Sequence, residues 1–312
     1  MLKKLKELAS PSTYAGLGLL GAGVAADKIN DKIADNKFGE LTAKLNEINE
    51  KNRQYAVSSD LYNDLRDSLG VAAPHKRLND YEAAGLGLTD NAGYYDRAAI
   101  KNLMGMGFTR LTDDIRLDDI KDTGIVCTAP GQDIPGIIAH ELGHGYDDYY
   151  GSLYDRNSVP KSIKLGSAAL LLSPLTAFGL RRLGLKKLPT AAITAGTAAV
   201  PLGIGANKHW NEIITDENDA NKAAEQGLKA IYDKHKDRLP PDLMDGGFED
   251  AREAALNTYK TAKNYELGSL AGATLKGIGA GTLALIGAGK LRKYLKNTAP
   301  AAETFINGVK YV

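Results

Sequence analysis

The stretch GIIAHELGHGYDDYYG, residues 136–151, decides how the fold of this chain is interpreted. Its two histidines, His140 and His144, are four positions apart, so a helix places both imidazoles on one face, where they can bind one metal ion. Glu141 lies beside that pair, where a carboxylate can take a proton from a zinc-bound water. An ordinary amphipathic helix could also carry two of the chain's five histidines at this spacing. The surrounding sequence has to distinguish a zinc site from this coincidence.

The flanks of the stretch favour a helix that enters a hydrophobic core. Asp133 is a suitable N-cap, Pro135 suits a first helical turn and Gly151 is a natural end. Residues 137–139 ahead of the motif are apolar. Upstream, GIVCT at 124–128 is a compact β-branched run bounded by glycine and by Pro-Gly, which predicts a strand.

Composition excludes several other kinds of protein. The chain has 312 residues with 39 Lys+Arg and 38 Asp+Glu, so a net charge of +1 gives no reason to expect a nucleic acid partner. A single cysteine, Cys127, excludes an intrachain disulfide framework and a cysteine-based zinc site. Any metal must therefore be held by histidines and carboxylates.

A strand, a short turn and then HELGH resemble the active site of the zincin superfamily of metallopeptidases. The resemblance implies a Zn²⁺ cofactor bound by both histidines, Glu141 as general base, and a peptide or protein as substrate. Zincins keep an edge strand upstream of the motif that pairs with an extended substrate. In this chain that strand would be formed by Ile125, Val126 and Cys127.

The third metal ligand separates the branches of the superfamily. The metzincin pattern requires a further histidine where this chain has Tyr150. The run Asp147-Asp148-Tyr149-Tyr150-Gly151 is similar to the aspzincin pattern, but it follows His144 too closely for the chain to reverse. Asp147 is therefore expected beside the metal-binding residues, with a role as ligand left open.

The sequence ENDAN at 217–221 resembles the E-x-x-A-D helix of the gluzincin branch. The resemblance implies Glu217 as the third ligand, with Ala220 giving room for close helix packing. Asn221 stands where the family usually has Asp, and it can still hydrogen-bond a ligand histidine. If the resemblance is a coincidence, Glu217 is simply one carboxylate on a polar helix. The resemblance covers roughly residues 124–224, and its layout is similar to membrane gluzincins of the CAAX-protease and heat-shock type.

Four Ala/Gly-rich apolar stretches and the charges around them indicate a membrane. The stretches are 14–26, 165–180, 188–206 and 267–289. The third and fourth are long enough to cross a bilayer of ~30 Å, although alanine and glycine are weakly hydrophobic. If all four cross, the basic clusters lie on the cytoplasmic side, and 27–160 and 208–266 lie together on the non-cytoplasmic side. Buried glycine-rich helices of a soluble or assembled protein are the alternative.

The expected fold class is mainly α with a small β-sheet, an α+β zincin-like catalytic core, plus Ala/Gly-rich apolar helices able to act as transmembrane helices. The predicted segments are a basic start with an apolar anchor or interfacial segment (1–26), a helical region (27–123), the strand and HELGH helix (124–160), an apolar helical hairpin (161–207), the Glu217 helix with the rest of the catalytic domain (208–266), and an apolar helix with a basic tail (267–312).

The leading functional prediction is a membrane-associated zinc metalloendopeptidase. The alternative is a membrane-interacting structural protein, for example a phage ejection or virion component, in which the motif is auxiliary or a relic. A soluble zinc protein and self-association into a homo-oligomer stay open. His75 and His235 are expected to be solvated. The residue that stabilises the oxyanion is left open among Tyr149, Tyr150, Tyr154, His209 and His235.

Overall fold

The computed structural model describes residues 10–89, 91–150, 183–243 and 247–309, together with Ala177 and Leu180. The described chain forms two compact units. The apolar unit comprises residues 10–35, 183–209 and 262–309, and the α/β unit comprises 36–150 and 210–261. Most of the described residues are helical, and they include one small sheet, which confirms the predicted fold class at that level.

Three long helices contribute to both units. They are α1 (Pro11–Asn52), α7 (Lys187–His235) and α8 (Phe248–Val309). The composition changes near 26, 207 and 266 therefore fall inside continuous helices rather than at breaks. Alanine, lysine and glutamate all favour helix, so the polarity can change without ending the helix.

The shorter elements belong to the α/β unit. In chain order they are α2 (Ser59–Ser68), β1 (His75–Arg77), α3 (Asp80–Gly85), β2 (Ala92–Tyr95), α4 (Arg97–Gly105), α5 (Leu117–Ile120), β3 (Ile125–Thr128) and α6 (Pro135–Tyr150). The region 27–123, predicted to be helical, thus also supplies two strands. Helix α6 begins at Pro135 as expected, whereas Asp133 forms an ion pair with Arg77 at 2.8 Å instead of lying at the N-cap position.

The sheet has the order β1-β3-β2, with β1 parallel and β2 antiparallel to β3. Val126 is paired with His75 on one side and with Tyr94 on the other. The prediction that Ile125, Val126 and Cys127 form a substrate-binding edge is therefore wrong, because β3 is the central strand. The physical reason was present in its sequence, since a continuous apolar run is typical of a strand that is buried on both faces.

Two hydrophobic clusters cover the faces of β3 and fix the position of α6. One cluster joins Val126 to Ile138, Ala139 and Leu142 of α6 and to Leu228 of α7. The other joins Ile125 and Cys127 to the helices that follow β2, and includes Ile100 and Leu117. Helix α6 is thus held between the sheet and α7 by burial of its apolar face.

Within the apolar unit, α1 and α8 pack closely through glycines. A Cβ atom at Gly23 would lie 2.8 Å from the carbonyl oxygen of Gly272, so neither helix has room for a side chain at this crossing. Asp27 of α1 forms an ion pair with Lys276 of α8 beside these glycines. Small residues that let two helices approach closely are common in membrane helix pairs.

In the part of the chain that the structure describes, two helices are long and apolar enough to cross a membrane by length and composition. They contain the third and fourth apolar stretches, 188–206 and 267–289, and only 18% and 22% of their most apolar windows is buried. Helix α1 contains the first stretch but is not among these two helices. The second stretch, 165–180, lies outside the described residues apart from Ala177 and Leu180. These two helices give weak support for membrane association. They do not indicate on which side of a membrane the rest of the chain lies.

Candidate metal centre

The candidate metal centre lies where α6 crosses α7 within the α/β unit. Gly143, the fourth residue of HELGH, lies directly against the backbone of Ala220. A Cβ atom at this glycine would be 2.9 Å from the Cα atom and 2.7 Å from the carbonyl carbon of Ala220. The expected close packing at Ala220 is thus present, and it requires glycine on the opposite helix. This crossing brings the histidines of α6 to the carboxylate of α7.

Three side chains converge at the crossing with the spacing of metal ligands. His140 Nε2 lies 3.2 Å from His144 Nε2 and 3.2 Å from Glu217 Oε2, and His144 Nε2 lies 3.7 Å from Glu217 Oε1. Ligands about 2.0–2.1 Å from a tetrahedral zinc ion are roughly 3.3 Å apart. The two distances from His140 Nε2 match that value, the third is longer and ends at the other oxygen of Glu217, and His140, His144 and Glu217 could hold one metal ion.

The hydrogen bonds around His140 set its tautomer. Asn221 donates from Nδ2 to the backbone oxygen of Glu217 at 2.6 Å, which turns its Oδ1 toward His140 Nδ1 at 3.1 Å. An amide oxygen accepts, so Nδ1 carries a proton and Nε2 is the nitrogen that faces Glu217, where it could bind a metal ion. The expected hydrogen bond between Asn221 and a histidine of HELGH is present. The asparagine is 4% exposed and does this without adding a charge.

The charges at the site favour a cation. Burial raises the pKa of Glu217, but hydrogen bonds from His140 and His144 outweigh burial and hold the pKa far below its usual range. Burial lowers the pKa of His144, but Glu217 and the charges of Glu141 and Asp216 raise it to about 9. Three carboxylates thus act on one imidazole, and a divalent ion between these groups would relieve this excess of negative charge.

Glu141 and Asp147 occupy different surroundings. Glu141 is 8% exposed and lies close enough for its charge to act on His144. Asp147 lies one turn beyond His144, and burial and then the charge of Asp216 raise its pKa to about 6. Its buried Oδ2 has no hydrogen-bond partner in the described part of the chain. Asp147 is not one of the three converging groups.

Most of the residues proposed from the sequence as oxyanion partners are engaged elsewhere. Tyr149 and Tyr150 donate to the backbone oxygens of Thr123 and Gly70, both at 3.3 Å. His235 pairs with Asp64 at 2.5 Å and is 5% exposed, so its expected solvation is wrong. His209 belongs to the other unit, and Tyr154 lies outside the described residues.

Two residues at the centre were not found from the sequence. Asp216 Oδ2 lies 3.7 Å from His144 Nδ1, where its charge acts on the second histidine. The charge of Glu217 also acts on Tyr259, on α8. Burial, and then the charge of Glu217, raise the pKa of Tyr259 well above its usual value, so its hydroxyl keeps its proton. No motif links Tyr259 to HELGH, since this proximity depends on how α8 packs on α7.

No family model, curated protein or solved structure matches this chain. What can be said of its function therefore depends on the chemistry of the residues at this centre.

Proposed function

We propose that the protein is a membrane-associated zinc metallopeptidase. The observation that carries the proposal is the convergence of His140 Nε2, His144 Nε2 and the Glu217 carboxylate with the spacing of three tetrahedral ligands. Two histidines and one glutamate are a ligand set used by catalytic zinc, which keeps a fourth position for water or substrate. When bound, zinc would polarise the substrate carbonyl and lower the pKa of a bound water toward ~7.

The residues at the centre would then each have a separate role in peptide hydrolysis. Glu141 takes the proton of the attacking water and delivers it to the leaving amine nitrogen. Asn221 holds the ring of His140 with Nε2 toward the metal. Gly143 allows α6 to approach α7 closely enough for both histidines to reach Glu217.

An extended substrate would have to pair with a strand other than β3. Strand β2 is an edge of the sheet and packs on α6, where Tyr94 donates to Asp148 at 2.9 Å. We therefore place the peptide substrate along β2, with backbone hydrogen bonds supplying affinity. We place the α/β unit on the non-cytoplasmic side of a membrane, an arrangement that requires all four apolar stretches, 14–26, 165–180, 188–206 and 267–289, to cross it.

The first experiment measures zinc per chain by elemental analysis, followed by hydrolysis of a peptide library. We expect about one zinc in the wild type. His144→Ala and Glu217→Ala should lose it, because each removes a ligand. Glu141→Gln should keep zinc and lose hydrolysis. Glu225→Ala is the matched control, since Glu225 lies on the same helix as Glu217 but pairs with Lys229.

A wild type that stays free of zinc when zinc is supplied would contradict the proposal. The membrane-interacting structural protein, as in a phage or virion, would then become the leading account. Self-assembly without any metal would support that account directly.

A further inference from the structure

Asp148 joins helix α6 to the end of strand β2. One oxygen of its carboxylate, Oδ2, accepts hydrogen bonds from the Tyr94 hydroxyl at 2.9 Å, the Arg97 backbone N–H at 3.2 Å and Arg97 Nε at 3.0 Å. The Arg97 guanidinium also donates to the backbone oxygen of Asp148 and lies over the ring of Tyr149, 4.7 Å from its centroid. The side chain of Asp148 is 15% exposed, so these bonds are largely shielded from water. One carboxylate on α6 therefore holds both Tyr94 of β2 and the first residue of α4.

The ring of Tyr94 lies on α6 close to the second histidine. A Cβ atom added at Gly145, the residue after His144, would be 3.4 Å from Tyr94 Cε2. Asp148, which accepts the hydroxyl proton of Tyr94, is about one helical turn beyond His144. Strand β2 is thus bonded to the same helix that carries both histidines of the metal centre.

The main chain of Tyr94 faces the free edge of the sheet. Ala129 N donates to the backbone oxygen of Asn91 at 2.9 Å, so these two opposite residues are a hydrogen-bonded pair. Such pairs alternate along antiparallel strands, so Gly93 bonds to β3, whereas the N–H and C=O groups of Ala92 and Tyr94 point away from it. The Ala92 N–H donates to Asn91 Oδ1 at 2.9 Å. Tyr94 is therefore the residue of β2 that presents both backbone groups to an added strand.

We propose that Asp148 is a positioning residue that fixes the substrate-pairing edge of β2 relative to the metal centre by holding Tyr94. The inference rests on the proposed peptidase function, with the peptide lying along β2. The side chain of Tyr94 is bonded to α6 while its main chain would pair with the peptide, so a movement of one moves the other. Without the carboxylate, β2 would keep its pairing with β3, but its edge would no longer be held at one distance from the histidines.

The test compares Asp148→Asn with Asp133→Asn in the full-length protein. Asp133 is a matched control, because it also pairs with an arginine, Arg77, at 2.8 Å and its side chain is 16% exposed. Arg77, however, lies on β1, at the opposite edge of the sheet. The substrate is the library peptide that the wild type cleaves fastest.

For Asp148→Asn we expect KM to rise about tenfold or more, with kcat within about threefold of wild type, because backbone pairing stabilises the bound substrate and the transition state alike. Zinc affinity, measured against a competing chelator, should stay within about threefold of wild type, because all three ligands remain. Asp133→Asn should keep the KM of the wild type.

A second measurement separates positioning from a general loss of structure. Each backbone amide of the same peptide is replaced in turn by an ester, which removes one N–H donor, and binding is measured in zinc-loaded Glu141→Gln. The ester that removes the N–H facing the carbonyl oxygen of Tyr94 should weaken binding by roughly fivefold or more. In Glu141→Gln combined with Asp148→Asn, the same ester should weaken binding less than about twofold, because the bond is no longer formed at a fixed position.

Tyr94→Phe is the second variant, because it removes the bond to Asp148 and leaves both the carboxylate and the ring on Gly145 in place. It should raise KM as Asp148→Asn does. If Asp148→Asn does not fold, Tyr94→Phe decides the outcome.

The possible outcomes are distinguishable. A rise of KM in Asp133→Asn equal to that in Asp148→Asn, or a tenfold loss of zinc affinity in Asp148→Asn, would show a general loss of structure and overturn the proposal. Unchanged KM and an unchanged ester effect would also overturn it while leaving the peptidase function intact, as would an ester series without effect at any position in Glu141→Gln. Absence of zinc and hydrolysis in the wild type would instead reject the peptidase function itself, and this inference with it.

Discussion

A methyl group added at Gly143 would lie 2.9 Å from the Cα atom of Ala220, which is inside van der Waals contact and against rigid backbone. Gly143→Ala should therefore push α6 away from α7 and separate both histidines from Glu217. We expect zinc affinity to fall by at least tenfold, although alanine favours helix over glycine by about 1 kcal/mol. The measurement is zinc affinity against a competing chelator.

Gly136→Ala is the matched control for this substitution. Gly136 lies on the same helix, and its added Cβ would be 3.7 Å from Phe248, an ordinary contact. This variant should bind zinc as wild type does. Equal zinc affinity in Gly143→Ala and wild type would show that the close crossing is not needed to assemble the ligands.

His75 should make stability depend on pH. Burial, and then the charge of Arg77, lower its pKa from 6.5 to about 4, and its ring stacks on Tyr62 and bonds Thr128. The unfolded chain takes up this proton near pH 6.5, whereas the folded chain does so only near pH 4. The stabilisation that neutral His75 gives the folded state is therefore fully present above pH 6.5. It is lost as the pH falls from 6.5 toward 4. Between about pH 7.5 and about pH 5 it should fall by on the order of 1–2 kcal/mol.

The measurement is thermal unfolding of wild type and His75→Gln at both pH values. Glutamine cannot titrate here, so the gap between the two proteins should narrow or reverse at the lower pH. A gap that does not change with pH would mean that the pKa of His75 is the same in the folded and unfolded chain, which would contradict the prediction.

At the scale of single residues, helical spacing was enough to group His140, Glu141 and His144, whereas Glu217 and Asn221 came from the resemblance of residues 217–221 to the gluzincin pattern. Helix geometry fixes which positions share a face, so these relations can be read along the chain. Tyr259 and Asp216 could not be found in this way. His75 and His235 were misjudged for a related reason, because polar sequence neighbours do not reveal which elements later cover a side chain.

Among the secondary-structure elements, the strand IVCT and the active-site helix could be predicted, but the position of the strand in the sheet could not. Order in a sheet depends on which distant strands pair, and β1 and β2 are too short to give a clear alternating pattern. The continuity of α1, α7 and α8 could not be predicted either, because each helix has an apolar and a polar part along its length. Their changes in polarity were clear, and Pro201, Gly203 and Gly205 even stand beside the change in α7, but the helix continues through them.

The pairing of α1 with α8 gives a prediction at this scale. Asp27 pairs with Lys276, and Asp27 Oδ1 is buried without a hydrogen-bond partner in the described chain. Asp27→Leu should leave Lys276 without its partner in an apolar setting and lower the free energy of unfolding by roughly 1–3 kcal/mol. Asp27→Leu combined with Lys276→Leu should recover most of that loss.

Thermal unfolding in detergent measures both variants. The exposed pair Lys51–Glu47 on α1 serves as a comparison, because Glu47→Leu should change the midpoint little. A double variant as unstable as Asp27→Leu alone would show that the ion pair itself, rather than the cost of a lone charge, stabilises the helix pair.

At the scale of the whole molecule, the charge pattern predicts which surfaces face which side of a membrane. The only native thiol, Cys127, is 0% exposed, and burial raises its pKa to about 12, so it should not react with maleimides. Tyr81 and Leu183 are 85% and 78% exposed. Tyr81→Cys should be labelled by an impermeant maleimide from the non-cytoplasmic side, and Leu183→Cys from the cytoplasmic side.

This labelling is done on sealed vesicles of known orientation, with the wild type as the unlabelled control. Labelling of both positions from one side would reject the four-crossing arrangement. Extraction of the protein into the aqueous phase at alkaline pH would reject membrane insertion altogether and favour the soluble alternative.

The bond between His140 and Asn221 joins positions 81 residues apart, and the proposed ligands are separated by almost as much chain. An ion held there would act as a reversible cross-link that closes a long loop, in the way a disulfide does. A chelator would then play the part that a reducing agent plays for a disulfide-bonded protein. Removing the ion with the chelator would destabilise the folded state by the free energy of ion binding. The chain between the two helices would then be easier for a protease to digest.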